Sequence, residues 1–187
     1  MVNKITIKVL EPFLSRPLEK LHLAQISREL QVPHPTVRLW LRELHKKGIL
    51  RQERKGRLTL YSLNVDHPLL IDYLVLAEKH RVIAACERWP VLGEFIASLQ
   101  RTLHAKALVF GSAAVDFGAA NDIDVLLVGK EDSKMLKAYA QKLGKDAHLI
   151  QVKGLHKVSA ALRVEIIKKH LLVRGSEDFV RWMIWQS

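Results

Sequence analysis

Two aspartates one residue apart, Asp122 and Asp124, open an apolar run over residues 123–128. A Gly-Ser pair, Gly111 and Ser112, closes another apolar run over residues 106–110, KALVF. Short apolar runs bounded by Gly and Asp/Asn clusters read as buried strands. Alternate strand residues point to one face with a rise of roughly 3.3 Å each, so the two carboxylates project side by side, within reach of one cation. Hard cations such as Mg²⁺ take oxygen ligands, usually one or two carboxylates together with substrate phosphates. Gly111 lets the chain pass close to a phosphate, and Ser112 offers a hydroxyl and a backbone N–H at an expected helix start. These residues suit metal-assisted handling of phosphate. The bland alternative is a Gly-rich hairpin with two solvated acids.

Such a site needs a sheet and helices to cover it. Pro90 breaks the preceding helical stretch, and Leu92, Phe95, Ile96 and Leu99 then form a helical stripe over residues 90–102, expected to lie on that sheet. After the Asp-x-Asp strand, residues 132–143 read as a helix and 147–153, AHLIQVK, as a third strand. Residues 158–170 read as helical, and LVRG followed by SEDFVRWMIW supplies a last strand and helix.

The N-terminal third has a different layout. Ile5, Val9, Leu10 and Phe13 share a helical face over residues 5–14, and Pro17 ends that helix. LAQISREL, residues 23–30, turns Leu23, Ile26 and Leu30 inward. After the turn VPHP, Pro35 suits the first position of a helix over 35–47 that buries Val37, Leu41 and Leu44. Gly48 stands where a left-handed cap is wanted, and LRQERKGRLTLYSLN reads as two strands joined at Lys55-Gly56. Residues 66–102 read as helical, with Leu69, Leu70, Tyr73, Leu74 and Ala77 in one stripe.

Helix, helix, tight turn, helix and basic hairpin resembles the winged helix-turn-helix regulators of bacteria and archaea, over about 60 residues. Thr36, Arg38, Arg42 and His45 or Lys46 lie off the apolar face of the third helix, placed for a major groove, where Arg reaches guanine edges and Lys or Thr the phosphates. Arg54, Lys55 and Arg57 form the wing. The same basic face would also suit a winged helix that binds protein. Strand, Gly-Ser, nine residues, Asp-x-Asp, strand resembles the DNA polymerase β-like nucleotidyltransferases, and the minimal nucleotidyltransferase domains above all. Glu165, Ile166, Gly175 and Phe179 also look like the tail of that family.

The resemblances imply an α+β fold: a winged helix-turn-helix at 1–65, a helical linker or dimerisation segment at 66–103, and a minimal nucleotidyltransferase-like domain with a small mixed sheet at 104–187. They imply that Asp122 and Asp124 are metal ligands and catalytic residues for Mg²⁺ or Mn²⁺, that Gly111 and Ser112 bind an NTP, and that a nucleoside monophosphate passes to an acceptor with release of pyrophosphate. The family usually supplies a third carboxylate from the third strand. Here the equivalent is Gln151, or His148 in another register, and Asp146 lies five residues, ~16 Å, from Gln151. Relatives also carry a small-Arg-Gly stretch after Gly-Ser, whereas AAVDFG lacks that Arg and brings Asp116 in. A transcription regulator with a degenerate transferase domain, kept for nucleotide sensing or assembly, is the other function implied. A homodimer and a separately encoded helical partner protein complete the expected partners.

Charge points the same way. The chain of 187 residues carries +11, and up to Val65 there are 13 Lys/Arg against 5 Glu and no Asp. Most of the excess therefore sits in the first third, which favours a polyanion such as double-stranded DNA through counterion release. No run approaches the ~18 apolar residues that span a bilayer. The single cysteine, Cys86, excludes an internal disulfide and reads as a small helical core residue. A cytoplasmic protein with no membrane partner is expected.

Overall fold

The computed structural model describes residues 7–132 and 134–185, a mixed α+β chain with two small sheets. It divides into two compact units, residues 1–80 and 81–187, so the division falls within one long helix of the stretch expected as a linker.

In the first unit, α1 (Glu11–Leu14) precedes a short strand β1 (Leu21–His22), α2 (Leu23–Leu30) and α3 (His34–Lys46). Ile5 lies outside the described residues. The His22 imidazole accepts the Gln25 N–H at 3.3 Å, capping α2. Pro35 sits in the first turn of α3, where its missing N–H costs no hydrogen bond. At the other end Gly48 takes φ +75°, and the Ile49 N–H reaches back to the Leu44 carbonyl at 3.0 Å. That reversal launches β2 (Leu50–Lys55), which pairs with β3 (Leu58–Leu63), while β3 also pairs with β1. The sheet is antiparallel throughout, in the order β1-β3-β2. Val37, Leu41 and Leu44 are fully buried, as their spacing predicts, while the distal hairpin is solvated. The long helix α4 (Leu70–Arg88) buries Leu70, Tyr73, Leu74 and Ala77, but Leu69 is 53% exposed. Leu69 precedes the helix, so the helical stripe does not extend to it.

In the second unit, α5 (Pro90–Thr102) leads to β4 (Lys106–Phe110), β5 (Asp122–Val128), α6 (Lys134–Lys142) and β6 (Asp146–Val152). Then come α7 (Ala160–Lys168), β7 (His170–Arg174) and α8 (Ser176–Ile184). The sheet order is β6-β5-β4-β7, with β5 and β6 parallel and the other pairs antiparallel, so it is mixed. One face carries Ala107, Val109, Ile123, Val125 and Leu127 into a core with Leu92, Phe95, Ile96 and Leu99 of α5 and Leu136 and Ala140 of α6. Cys86, half-buried on α4, packs at its margin. Strand alternation turns Leu108, Phe110, Asp122, Asp124 and Leu126 to the opposite face.

The helix expected over 158–170 ends earlier, at Lys168, because His170 opens β7 and pairs with Phe110. The helix expected from Ser112 does not form. Ser112 starts a run of turns: its carbonyl accepts the Asp116 N–H at 2.9 Å, and the Asp116 side chain then caps the Ala119 N–H at 3.1 Å. An Asp that bonds its own downstream backbone competes with helix propagation.

Candidate functional site

Strand register builds the site. Across the second sheet His148, Asp124, Phe110 and His170 stand in one row, and Asp122 is paired with Asp146 two residues nearer the strand start. The Asp146 N–H donates to the Asn121 carbonyl at 3.3 Å, and the Lys145 ammonium donates to the Ala120 carbonyl while lying 5.1 Å from the Phe117 ring. These contacts set where β6 begins, and thereby which of its residues faces the aspartates.

That residue is His148. Its Nδ1 lies 3.1 Å from Asp122 Oδ2 and 3.5 Å from Asp124 Oδ1, and donor atoms of all three residues fall within 4.8 Å of one another. Gln151, the other candidate for the third position, is displaced: its amide donates to the Gly129 carbonyl at 2.9 Å, at the far end of the strand. A register in which Gln151 faced the aspartates would leave Asp146 and His148 with no strand partner. Asp146, which the Gln151 register would have placed far off, instead begins the strand opposite Asp122.

The cluster is half-buried, with the side chains of Asp122, Asp124 and His148 37%, 28% and 62% exposed. Burial raises the Asp124 carboxyl above the usual carboxylate range; the Asp122 charge adds to this, while the His148 imidazole opposes it and Glu165 contributes a smaller upward push. A bound cation would relieve this repulsion. Two carboxylate oxygens and an imidazole nitrogen are a sufficient protein donor set for a divalent ion that completes its shell with water or phosphate.

Gly111 explains how Asp124 comes to be there. The residue takes φ +74°, and a Cβ at this position would lie 2.5 Å from Asp124 Oδ2. The positive φ favours glycine, and any side chain here would also push the Asp124 carboxylate aside. Its N–H donates to the Lys169 carbonyl at 3.2 Å, so this amide is already committed. The exposed Ser112 and the half-buried Asp122 instead line a groove of about 400 Å³ together with Asp116, Asn121 and Lys169. Asp116 therefore borders the same groove, as the sequence suggests. Lys169 is a cation that sequence reasoning missed, since its neighbours Lys168 and His170 make it one of a run of basic residues with no distinguishing pattern. Lys106, by contrast, is paired with Asp178 at 3.0 Å. His170 is buried, and its Nδ1–H donates to the Ile166 carbonyl at 2.9 Å, anchoring the row beside Phe110.

The first unit presents a second surface. Arg38 and Arg42 of α3 and Arg57 in the hairpin turn line one groove of about 380 Å³ with His22, His34, Gln52 and Thr59. Arg38, Arg42, Lys46, Arg54, Lys55 and Arg57 are all exposed, and Thr36 is half-exposed at the start of α3. Among the described residues, Arg38, Arg42, Arg54 and Arg57 form no ion pair. Elsewhere on this unit Arg51 is held by Asp66, Lys20 by Glu53 and Arg16 by Glu29. Lys46 and Lys55 share the exposed α3 and hairpin surfaces but do not line the groove. His45, the alternative to Lys46, turns back: its Nδ1 lies 3.0 Å from the Leu50 carbonyl.

The two surfaces define an α+β chain with a candidate metal centre on a mixed sheet and an uncompensated basic groove on an antiparallel one. No family model, curated protein or solved structure matches the chain. Among the described residues no helix is long and apolar enough to cross a membrane.

Proposed function

We propose that this chain is a DNA-binding protein whose second unit holds a divalent metal ion and a nucleoside triphosphate, in the manner of a minimal nucleotidyltransferase. The observation that carries the reading is the Asp122–Asp124–His148 cluster set against Gly111, with Ser112 and Lys169 along the adjoining groove. Asp122 and Asp124 hold the ion, and His148 stands where the family resemblance calls for a third ligand. The ion supplies charge neutralisation for the triphosphate. Ser112 donates its hydroxyl to a phosphate oxygen, and the Lys169 ammonium offsets phosphate charge along the groove. Positioning and electrostatics of this kind account for most of the rate in phosphoryl-group chemistry.

The helix order and three-stranded antiparallel sheet of the first unit support a winged helix, with α3 as recognition helix and the β2–β3 hairpin as wing. Four arginines without ion-pair partners on that surface favour phosphate and base contacts.

The two outcomes for the second unit are transfer of the nucleoside monophosphate and retention of the nucleotide as a regulatory ligand. The imidazole at the third position favours the second, because a site with two carboxylates supports the paired ions of in-line transfer less well than one with three. Incubation with labelled NTP and Mg²⁺ or Mn²⁺ separates them. Label transfer lost in the Asp122→Ala, Asp124→Ala double variant supports the transferase. Metal-dependent NTP binding without transfer supports the regulator, and absence of both sinks the nucleotide reading.

A further inference from the structure

We propose that His148 makes this centre a site for a later first-row transition ion, such as Co²⁺, in preference to Mg²⁺, with His148 Nδ1 as a direct ligand. The inference deepens the metal site just described and rests on it, but needs neither nucleotide nor DNA.

The geometry suits one ion. Adjacent ligands of an octahedral ion with bonds of about 2.1–2.2 Å stand about 3.0–3.1 Å apart, and opposite ligands about 4.3 Å apart. His148 Nδ1 lies 3.1 Å from Asp122 Oδ2 and 3.5 Å from Asp124 Oδ1, so each carboxylate oxygen is close to an adjacent-ligand separation from the nitrogen. The whole set lies within 4.8 Å, a spread that a small rotation of the half-exposed side chains brings within the span of one ion. Adjacent placement is what the backbone imposes. Asp122 and Asp124 are alternate residues of β5, and the parallel register sets His148 directly beside Asp124.

The donor types then select the metal. Mg²⁺ is hard, prefers oxygen and gives up water reluctantly, so an imidazole in its shell gains little. Imidazole binds later first-row ions well, and affinity rises from Mn²⁺ through Co²⁺ to Cu²⁺. A carboxylate at position 148 would have added a negative charge and favoured a hard ion. His148 removes that charge and adds a softer donor. The exposed ring reaches solution on its outer side, so a ligand exchange there needs no rearrangement of the core.

The test uses the full chain and the metal alone. Co²⁺ is titrated by visible absorption and calorimetry, and Mg²⁺ by calorimetry and by competition against Co²⁺. An all-oxygen site also prefers Co²⁺ to Mg²⁺, so the deciding quantity is how the ratio changes. His148→Ala is expected to weaken Co²⁺ at least tenfold and Mg²⁺ less than threefold. His148→Asp is expected to narrow the Co²⁺-to-Mg²⁺ affinity ratio at least tenfold by strengthening Mg²⁺ relative to Co²⁺. Asp122→Asn with Asp124→Asn abolishes the same signal, which separates it from the other eight histidines. Hyperfine-shifted imidazole protons in the Co²⁺-loaded protein, absent from His148→Ala, report direct ligation. Equal Co²⁺ affinity in wild type and His148→Ala, an unchanged ratio in His148→Asp, or no Co²⁺ binding would overturn the proposal. Because His148 lies on the surface, the variants fold as the parent does, which matching circular dichroism verifies. Failure of the nucleotide reading leaves these metal affinities untouched, so the two can fail separately.

Discussion

At the scale of the residue, Gly111 and Asp124 are each defined by the other. A methyl group at 111 meets the Asp124 carboxylate and also requires a positive φ that alanine disfavours. Gly111→Ala is therefore expected to lose about 1–3 kcal/mol of stability, read by chemical denaturation, and to weaken metal binding together with it. A variant as stable as the parent would mean that Asp124 readily swings away. Asp124 itself is held at a cost. Its folded carboxyl titrates higher than in the unfolded chain, so the metal-free fold is favoured by protonation and loses that advantage as pH rises through the raised value. Asp124→Asn is accordingly expected to melt about 1–3 °C above wild type at neutral pH without metal, the gap closing as pH falls through the carboxylate range. A gap that widens in acid would reverse the assigned sign.

At the scale of the element, α3 and the hairpin carry most of the predicted DNA contacts, and their amphipathic pattern was readable directly. Val37, Leu41 and Leu44 are fully buried while Arg38 and Arg42 are exposed, because a period of 3.6 residues separates the two faces. Arg38→Ala with Arg42→Ala is expected to weaken duplex binding and lower the salt slope by about 1–2, measured by titration at several salt concentrations. Unchanged binding would move the interface off α3. Leu41→Ala should instead cost about 2–5 kcal/mol of stability, a separate effect seen in denaturation. The turn after Gly111 was less legible, since Asp116 uses its carboxylate on the Ala119 backbone and so interrupts the expected helix.

At the scale of the whole molecule, charge and chemistry are segregated along the chain. The first 65 residues carry most of the positive excess, and the acids of the candidate metal centre lie more than 50 residues later. Chelation with EDTA is therefore expected to leave the salt slope for duplex DNA unchanged while removing any metal-dependent rise in melting temperature. A slope that shifts with EDTA would place phosphate contacts on the second unit too.

The sequence by itself determined the strands around Gly111 and Asp-x-Asp, the burial of the helical stripes and the concentration of positive charge, because these follow from local periodicity and composition. Only the tertiary structure decided that His148 rather than Gln151 faces the aspartates, and that Lys169 borders their groove. Strand register depends on where β6 starts beside β5, which Lys145 and Asp146 fix through contacts with Ala120 and Asn121, more than 20 residues earlier. No local pattern in AHLIQVK contains that information, so a shift of three residues changed the third member of the site.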